Sequence, residues 1–433
     1  MHSTHHLRRL TAAVAVVAAV ALSIAGCSTA SSGGATKISL SMQNPNVKTA
    51  DPATWAIVQA FEKKNPNITV TVTGQAVAQH LQNLSVAAQS HTLPDIFWIY
   101  KATAEQMNKS GYLMDLAPML KELGLTDKIS SSTLDNFSTG KVTYGVPYQG
   151  LLTGIWYNKK ILSDNGLTVP KTFDEFLHVA ETLHAKGITT LSDGANQSSF
   201  SVWSFLVDLD RYGWESKYQA ILAGKASYDN PDFVRFYDSI AKLREAGAFP
   251  SNVTTQTYQQ AVNEFTSGKA AMLDAGIWAS SAIQDSTVAP DAGFWAGPTF
   301  SDGVGKQDIV MNVASAPFAV SADVKKDSAK SAAVKKFIAF YYSDAAQQLL
   351  VDNGQPPVTN YTPKLDATKQ SVLKGALEAS TAPGLTSPQT QPDLVVSTAV
   401  ASAMYDSIYG VIEGQLTSKQ AVDLVQKAID AGK

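Results

Sequence analysis

Ile38-Ser39-Leu40-Ser41-Met42, Ile68-Thr69-Val70-Thr71-Val72 and Pro94-Asp95-Ile96-Phe97-Trp98-Ile99 are the stretches on which the fold is decided. In the first two, apolar residues alternate with Ser and Thr, the two-residue period of a strand with one buried face. The third is short and apolar after its Pro-Asp start, as in a strand buried on both faces. Two helical stretches separate them. Trp55, Val58 and Phe61 share a face that ends at Asn65-Pro66-Asn67, because proline cannot continue an α-helix. Val77, Leu81, Leu84 and Ala88 share a second face. Strand, helix, strand, helix, strand predicts a parallel α/β sheet.

The middle of the chain repeats this logic. Tyr144 to Asn158 is strand-like and rich in glycine. Thr172 and Glu175 then have the spacing of a capping box, ahead of a buried face made by Phe176, Val179, Ala180 and Leu183. Thr417 and Gln420 form a second such pair before Val422, Val425 and Ile429. No fixed-period repeat and no long charge run is present.

Toward the N-terminus, His2, His5, His6, Arg8 and Arg9 open a basic segment, followed by an uncharged run of 17 residues from Leu10 to Gly26. That run suits an export signal and is short for a membrane span, which needs ~20 apolar residues. It ends in Leu22-Ser23-Ile24-Ala25-Gly26-Cys27, which resembles the lipobox of bacterial lipoproteins. The expectation is a signal peptide over 1–26, a diacylglyceryl group on Cys27 with palmitate in the anchor, and a flexible tether over 27–36. Arg8-Arg9 leaves both the general and the twin-arginine export routes open. Cys27 is the only cysteine, so no disulfide framework can form.

Without residues 1–26 the chain has 407 residues, room for two domains or three, with 32 basic against 37 acidic side chains. That balance does not point to nucleic acid, which favours a basic surface. Enzyme signatures are missing as well. There is no Gly-x-Ser-x-Gly elbow and no His-Glu-x-x-His helix, and Gly303-Val304-Gly305-Lys306 lacks the spacing of a phosphate loop. His80, His91, His178 and His184 are scattered on helical stretches and read as surface residues, not metal ligands. No cofactor, no metal and no catalysis is expected.

What recurs instead is an aromatic residue beside small and polar ones at strand ends. Trp98 and Tyr100 follow Pro94-Asp95; Tyr148 and Gln149 follow Gly145-Val146-Pro147; Phe200 and Trp203 follow a polar run; Trp278 follows Asp274-Ala275-Gly276. Ligands of open α/β sheets bind beyond the carboxyl ends of strands. Sugars suit such places, since their C–H faces pack on aromatic planes while planar polar side chains bond their hydroxyls. Taken alone, any one of these aromatics reads more readily as core.

Context comes from longer segments. Gly145-Val146-Pro147, Ile155-Trp156-Tyr157-Asn158-Lys159 and Pro170-Lys171-Thr172-Phe173-Asp174-Glu175-Phe176 follow Leu93-Pro94-Asp95-Ile96 in order. Further on comes Phe265-Thr266-Ser267-Gly268-Lys269-Ala270-Ala271-Met272, leading to Gly276-Ile277-Trp278. In this order they resemble the extracellular solute-binding proteins of the maltose-binding type, across nearly all of residues 37–433. The resemblance implies a type II periplasmic-binding-protein fold: two discontinuous α/β lobes joined by hinge strands, with 37–147 and 299–352 as the N-lobe and 148–298 and 353–433 as the C-lobe.

It also implies a ligand cleft between the lobes. Trp98 falls on the N-lobe cleft aromatic, Trp278 on the stacking tryptophan of the C-lobe, and Phe200 and Trp203 on further sugar-facing aromatics. Gln43 and Asn44 follow the first strand, and Gln355, within Gly354-Gln355-Pro356-Pro357, falls in a late hinge segment. Leu151 lies near a position that is acidic in the maltose type, which speaks against maltose itself. Asp95, Tyr157 and Asn158 belong to the shared segments but read as structural, capping backbone or ending a strand.

The implied function is capture of a mono- or oligosaccharide by a monomer, lipid-anchored at the extracytoplasmic face of the membrane, and delivery to the permease subunits of an ABC importer. Two alternatives stand beside it. One is the same fold with a non-sugar solute such as glycerol phosphate or a polyamine; the other is a secreted glycan hydrolase.

Overall fold

The computed structural model describes residues 35–194, 202–314, 316–389 and 391–432. The expected signal peptide, Cys27 and Phe200 lie outside the described residues. In chain order the strands are β1 (Thr36–Met42), β2 (Ile68–Gly74), β3 (Ile96–Trp98), β4 (Ser138–Thr139), β5 (Val142–Thr143) and β6 (Val146–Pro147). They continue with β7 (Gly150–Asn158), β8 (Thr189–Ser192), β9 (Ala270–Gly276), β10 (Ala292–Trp295), β11 (Met311–Ala314) and β12 (Pro317–Val320).

The N-lobe sheet has the order β2-β1-β3-β12-β6. β1 lies parallel to β2 along its whole length and parallel to β3, as the alternating pattern predicts. Ile38, Leu40 and Met42 point into the core, where they meet Ile57, Val58 and Phe61 of the crossover helix Pro52–Lys64. Asp95 joins β1 to β3. Its carboxylate accepts from both the backbone N–H and the hydroxyl of Ser39, at 2.8 and 3.0 Å, and pairs with Lys330 at 3.1 Å. That is the structural role the sequence suggests for it.

The C-lobe sheet has the order β10-β7-β9-β8, with β11 also on β7. One edge of β7 is shared: β11 takes Gly150 to Thr153, and β10 takes Ile155 to Asn158. Here the expectation of parallel pairing fails. β7 runs antiparallel to β9, β10 and β11, and only β8 and β9 are parallel. A parallel neighbour needs a crossover of a dozen or more residues. β7 instead enters straight from β6 of the other sheet, two residues away, so its direction is set by the crossing. The sheet is buried on both faces, against Phe205, Tyr212, Phe233 and Phe236 in one core cluster, and in another through its own Trp156, Leu273 and Phe294 against Val262, Phe265 and Leu373.

The chain crosses between the lobes from β6 to β7 and returns from β11 to β12. The crossings run side by side, Pro317 opposite Pro147 and Ala314 opposite Gly150. The expected return to the N-lobe at 299 therefore falls too early. Ile309 bridges to Thr386 and β11 is still paired with β7, so the switch comes at Pro317. A last crossing follows the helix Asp344–Asp352, which packs on Pro52–Lys64, and precedes the helix Ser371–Ser380, which packs on β10. Both capping boxes form at the predicted residues, Thr172 with Glu175 and Thr417 with Gln420. Asn158 caps the helix Lys159–Asp164 through its side-chain oxygen, at 3.0 and 3.1 Å.

Candidate functional site

The C-lobe builds one half of the site from the end of β9. A Cβ on Gly276 would lie 2.0 Å from Cζ3 of Trp278, so only glycine lets the indole lie back over this strand end. The indole N–H donates to the Tyr258 hydroxyl at 2.7 Å, and burial raises the Tyr258 phenol pKa. Trp203, the first residue of the helix Trp203–Arg211, meets Trp278 edge-to-face with ring centroids 4.6 Å apart.

Asp274 locks these two tryptophans together from behind. Its carboxylate accepts from the Ser204 backbone N–H at 3.1 Å and from the Ser204 hydroxyl at 2.6 Å. It thereby fixes the start of the Trp203 helix to the strand that carries Trp278. Asp274 is fully buried, and burial pushes its pKa up to about 7 against the opposing pull of the Ser204 bonds. The same helix also carries Asp208, paired with Arg211 at 2.7 Å. Arg211 donates to the carbonyls of Ala296 and Ile309, both at 2.9 Å, and so holds the loop that brings Ile309 to the site.

The two tryptophans pack against a buried apolar patch of Leu151, Val207, Ile309, Met311 and Leu394, as does Val313. Beside Leu394 lies a polar group absent from the sequence-based candidates. Tyr405 donates to the Asp393 carboxylate at 2.5 Å, and Gln391 donates to it at 2.8 Å. Burial raises the pKa of Asp393, partly offset by these bonds. From the N-lobe, Tyr100 packs on the patch and shares a hydrogen bond with Tyr405. Trp98 stands behind Tyr100, 4.9 Å between centroids, and is itself only 5% exposed. His80, read from the sequence as a surface residue, is instead buried and donates from Nε2 to the Trp98 carbonyl at 2.7 Å. The structure thus brings Tyr100, Trp203 and Trp278 together, with Trp98, Asp274 and Gly276 supporting them.

The other candidates lie elsewhere. The Tyr148 phenol donates to Asp51, and Gln149 donates to the same carboxylate at 3.0 Å. Asp51 also caps the helix Pro52–Lys64, so both side chains tie the β6–β7 crossing to the N-lobe. Gln43 and Asn44 are half-buried at the end of β1; the Asn44 carbonyl lies so close to Gly74 that a Cβ there would approach to 1.9 Å. Gln355 is buried next to Gly354, whose carbonyl accepts from Ser280, two residues beyond Trp278.

A groove of about 710 Å³ lies along the crossings. Alternation along β7 and β11 turns Leu151 and Met311 toward the aromatic residues, and Gly150 and Asn312 toward this groove. The lobes touch there too, Asn136 donating to the Gln389 carbonyl at 3.0 Å. None of the residues lining the groove is aromatic, so it offers no surface on which a ring could stack. Among the described residues no group of three or more His, Cys, Asp or Glu could hold a metal ion, and no helix is long and apolar enough to cross a membrane.

Comparison with known proteins agrees with this architecture. The family model described as bacterial extracellular solute-binding protein matches residues 44–348. The multiple sugar-binding protein of Streptococcus mutans is 24% identical over 359 residues, 79% of this chain and 80% of that one. A solved chitin oligosaccharide binding protein superposes with a TM-score of 0.80 at 26% identity, covering 92% of this chain and 98% of its own. The maltose-bound MalE3 of T. maritima superposes at 0.73 with 20% identity, over 92% of this chain and all of its own (100%).

The raised pKa of Asp274 has a measurable consequence. An unfolded aspartate titrates near ~3.9. Between that value and about 7 the folded chain keeps a proton that the unfolded chain has lost. Stability from this group is therefore lost as pH rises through that window, at up to ~1.4 kcal/mol per pH unit. Asp274→Asn removes the titration. Urea unfolding between pH 4.5 and 7.5 should show the variant gaining on the wild type as pH rises. A difference that stays constant with pH would contradict the assignment.

Proposed function

Since this chain belongs to the family of bacterial extracellular solute-binding proteins, we propose that it captures a sugar between its lobes and delivers it to the permease of an ABC importer. The observation that carries this reading is the meeting of Tyr100, Trp203 and Trp278 over one apolar patch, with Asp393, Tyr405 and Gln391 at its edge. A pyranose has the complementary character, a C–H face for the aromatic planes and a ring of hydroxyls for the polar edge. Similarity to a multiple sugar-binding protein and to a chitin oligosaccharide binding protein supports a sugar over other solutes.

The mechanism needs no covalent step. Trp203 and Trp278 belong to one lobe and Tyr100 to the other. A ligand seated on the tryptophans gains the contacts of Tyr100 only when the lobes meet. That difference in contact between two states is what lets a ligand shift a conformational equilibrium. A polyamine would call for several converging carboxylates, and glycerol phosphate for converging Arg or Lys. The polar groups gathered here are phenols, amides and one acid. A glycan hydrolase would need two carboxyl groups ~5–10 Å apart and free to act; Asp274 is turned to Ser204, and Asp393 to Tyr405 and Gln391.

Anchoring completes the reading: lipid on Cys27 keeps the protein at the extracytoplasmic face, where the permease is. Two acyl chains at ~0.8 kcal/mol per buried CH₂ make such an anchor stable.

Trp278→Ala should weaken binding of the cognate sugar ten- to hundredfold, ~1–3 kcal/mol, in a calorimetric titration. Trp278 is half-buried, so the loss of stability should stay below the ~3–5 kcal/mol of a core tryptophan. A variant that is strongly destabilised yet binds with native affinity removes Trp278 from the site. For the anchor, labelled palmitate fed to expressing cells should enter the wild type and not Cys27→Ser. Equal labelling of the two would end the lipoprotein reading.

A further inference from the structure

Resting on the lipoprotein reading and adding an orientation to it, we propose that the outer end of the N-lobe lies on anionic lipid headgroups and holds the C-lobe away from the bilayer. β1, β2 and β3 are parallel and all start at this end, at Thr36, Ile68 and Ile96. β12 finishes there, Val320 opposite Ile96, while its other end, Pro317, lies at the crossings. The sheet therefore separates this face from the C-lobe. The helices Pro52–Lys64, Val77–Gln89 and Lys101–Lys109 follow the three strands and run back to the same end. Behind the first, the Thr36 N–H donates to the Asn67 carbonyl at 2.8 Å; behind the third, the Ala322 N–H donates to the Tyr112 carbonyl at 2.9 Å. Between them His91 faces Asp323 at 3.8 Å.

Six exposed lysines gather on this face: Lys37, Lys63, Lys64, Lys109, Lys325 and Lys326. Four acids lie among them, each already engaged. Asp95 pairs with Lys330 at 3.1 Å and Asp323 with Lys326 at 2.6 Å. Asp327 caps the helix Ser328–Tyr341, and Glu62 accepts from the Val70 N–H at 2.8 Å. Helix dipoles favour lysine in a last turn one helix at a time; they do not account for Lys37, which is on a strand, or for the contrast between the lobes. The N-lobe (35–147 and 317–352) has 14 basic against 12 acidic side chains, and the C-lobe (150–314 and 371–433) has 16 against 24. An anionic bilayer attracts the first and repels the second. The chain also enters the N-lobe at this face. A lipid on Cys27, nine residues before Thr36, would be tied within ~32 Å of it, since an extended residue spans at most ~3.6 Å. With the N-lobe down, the strand ends that meet the C-lobe turn to the side from which solute arrives.

The full-length protein, purified with its lipid, is placed on vesicles of phosphatidylcholine alone or with about 30% phosphatidylglycerol added. A dye on Asn67→Cys, in the exposed turn of the basic face, or on Ser251→Cys, exposed on the C-lobe, reports its distance to a headgroup acceptor by energy transfer. Transfer from position 67 should be at least about twofold greater on the anionic vesicles, and transfer from position 251 should fall. In 1 M salt, where the Debye length is ~3 Å, both should return to their phosphatidylcholine values. The variant K63E/K64E/K325E/K326E, its fold checked by a melting curve, should show no difference between the vesicles. Equal transfer on the two kinds of vesicle, or a rise at position 251, overturns the proposal, whatever else the lysines bind. A difference that survives 1 M salt, or persists in the folded variant, overturns it too. Protein that does not float with phosphatidylcholine vesicles carries no anchor, and then the lipoprotein reading falls and this inference with it. Protein that floats but ignores vesicle charge keeps its anchor and loses only the orientation.

Discussion

The molecule depends on one constraint: its chain passes between two sheets at adjacent points, and those passages pair with each other. Pro147 faces Pro317 on the N-lobe side, and Gly150 faces Ala314 on the C-lobe side. Tyr341 and Tyr342 hold the N-lobe end by donating to the carbonyls of Tyr148 and Pro147 at 2.7 and 2.6 Å. Tyr148 and Gln149 add their bonds to Asp51. Any rotation of one lobe against the other would fall on the few residues between these anchored ends, the arrangement expected of a hinge. Strand alternation then gives Leu151 and Met311 the aromatic residues for neighbours and turns Gly150 and Asn312 to the groove without aromatics.

The aromatic side is positioned by buried polar chemistry. Asp274 is taken out of water to tie Ser204 to β9, and Arg211 is taken out of water to hold three loop carbonyls. Burying such groups is costly unless each is paired, and each of these is. What the molecule gains is a fixed angle between Trp203 and Trp278 and a fixed approach of Ile309 to the patch. Preorganised walls cost little ordering when a ligand arrives. The N-lobe contributes less to this surface, chiefly Tyr100, in keeping with a ligand that docks on one lobe before the other.

Much of the fold was legible because its signals are local. Alternation in β1 and β2, the proline that ends the first crossover helix and the two capping boxes are each settled within a few residues. The direction of β7 was not legible, since it follows from a crossing between sheets that no local period encodes. The return at Pro317 was missed for the same reason, because β11 is a strand of the C-lobe sheet two residues before β12 joins the other. In the site, Trp203, Trp278 and Tyr100 carry a visible pattern of aromatics at element ends. Tyr148 and Gln149 carry the same pattern, yet they are bound to an acid almost a hundred positions earlier. Asp393, Tyr405 and Gln391 show no such pattern. Pro388 and Pro392 mark the segment of Gln391 and Asp393 as a loop, but not which face of the other lobe it meets, and Tyr405 lies on the helix Thr398–Ile412 that follows.

The central claim is that a sugar lies against the tryptophan pair, between the two sheets. A crystal structure of the protein grown with its tightest-binding oligosaccharide tests this most directly. The account predicts a pyranose ring with one C–H face in van der Waals contact with Trp203 or Trp278, ~4 Å from the indole plane, and Tyr100 closing from the other lobe. Sugar bound instead in the groove lined by Asn136, Asn312 and Ser387, with the tryptophan pair untouched, would contradict it.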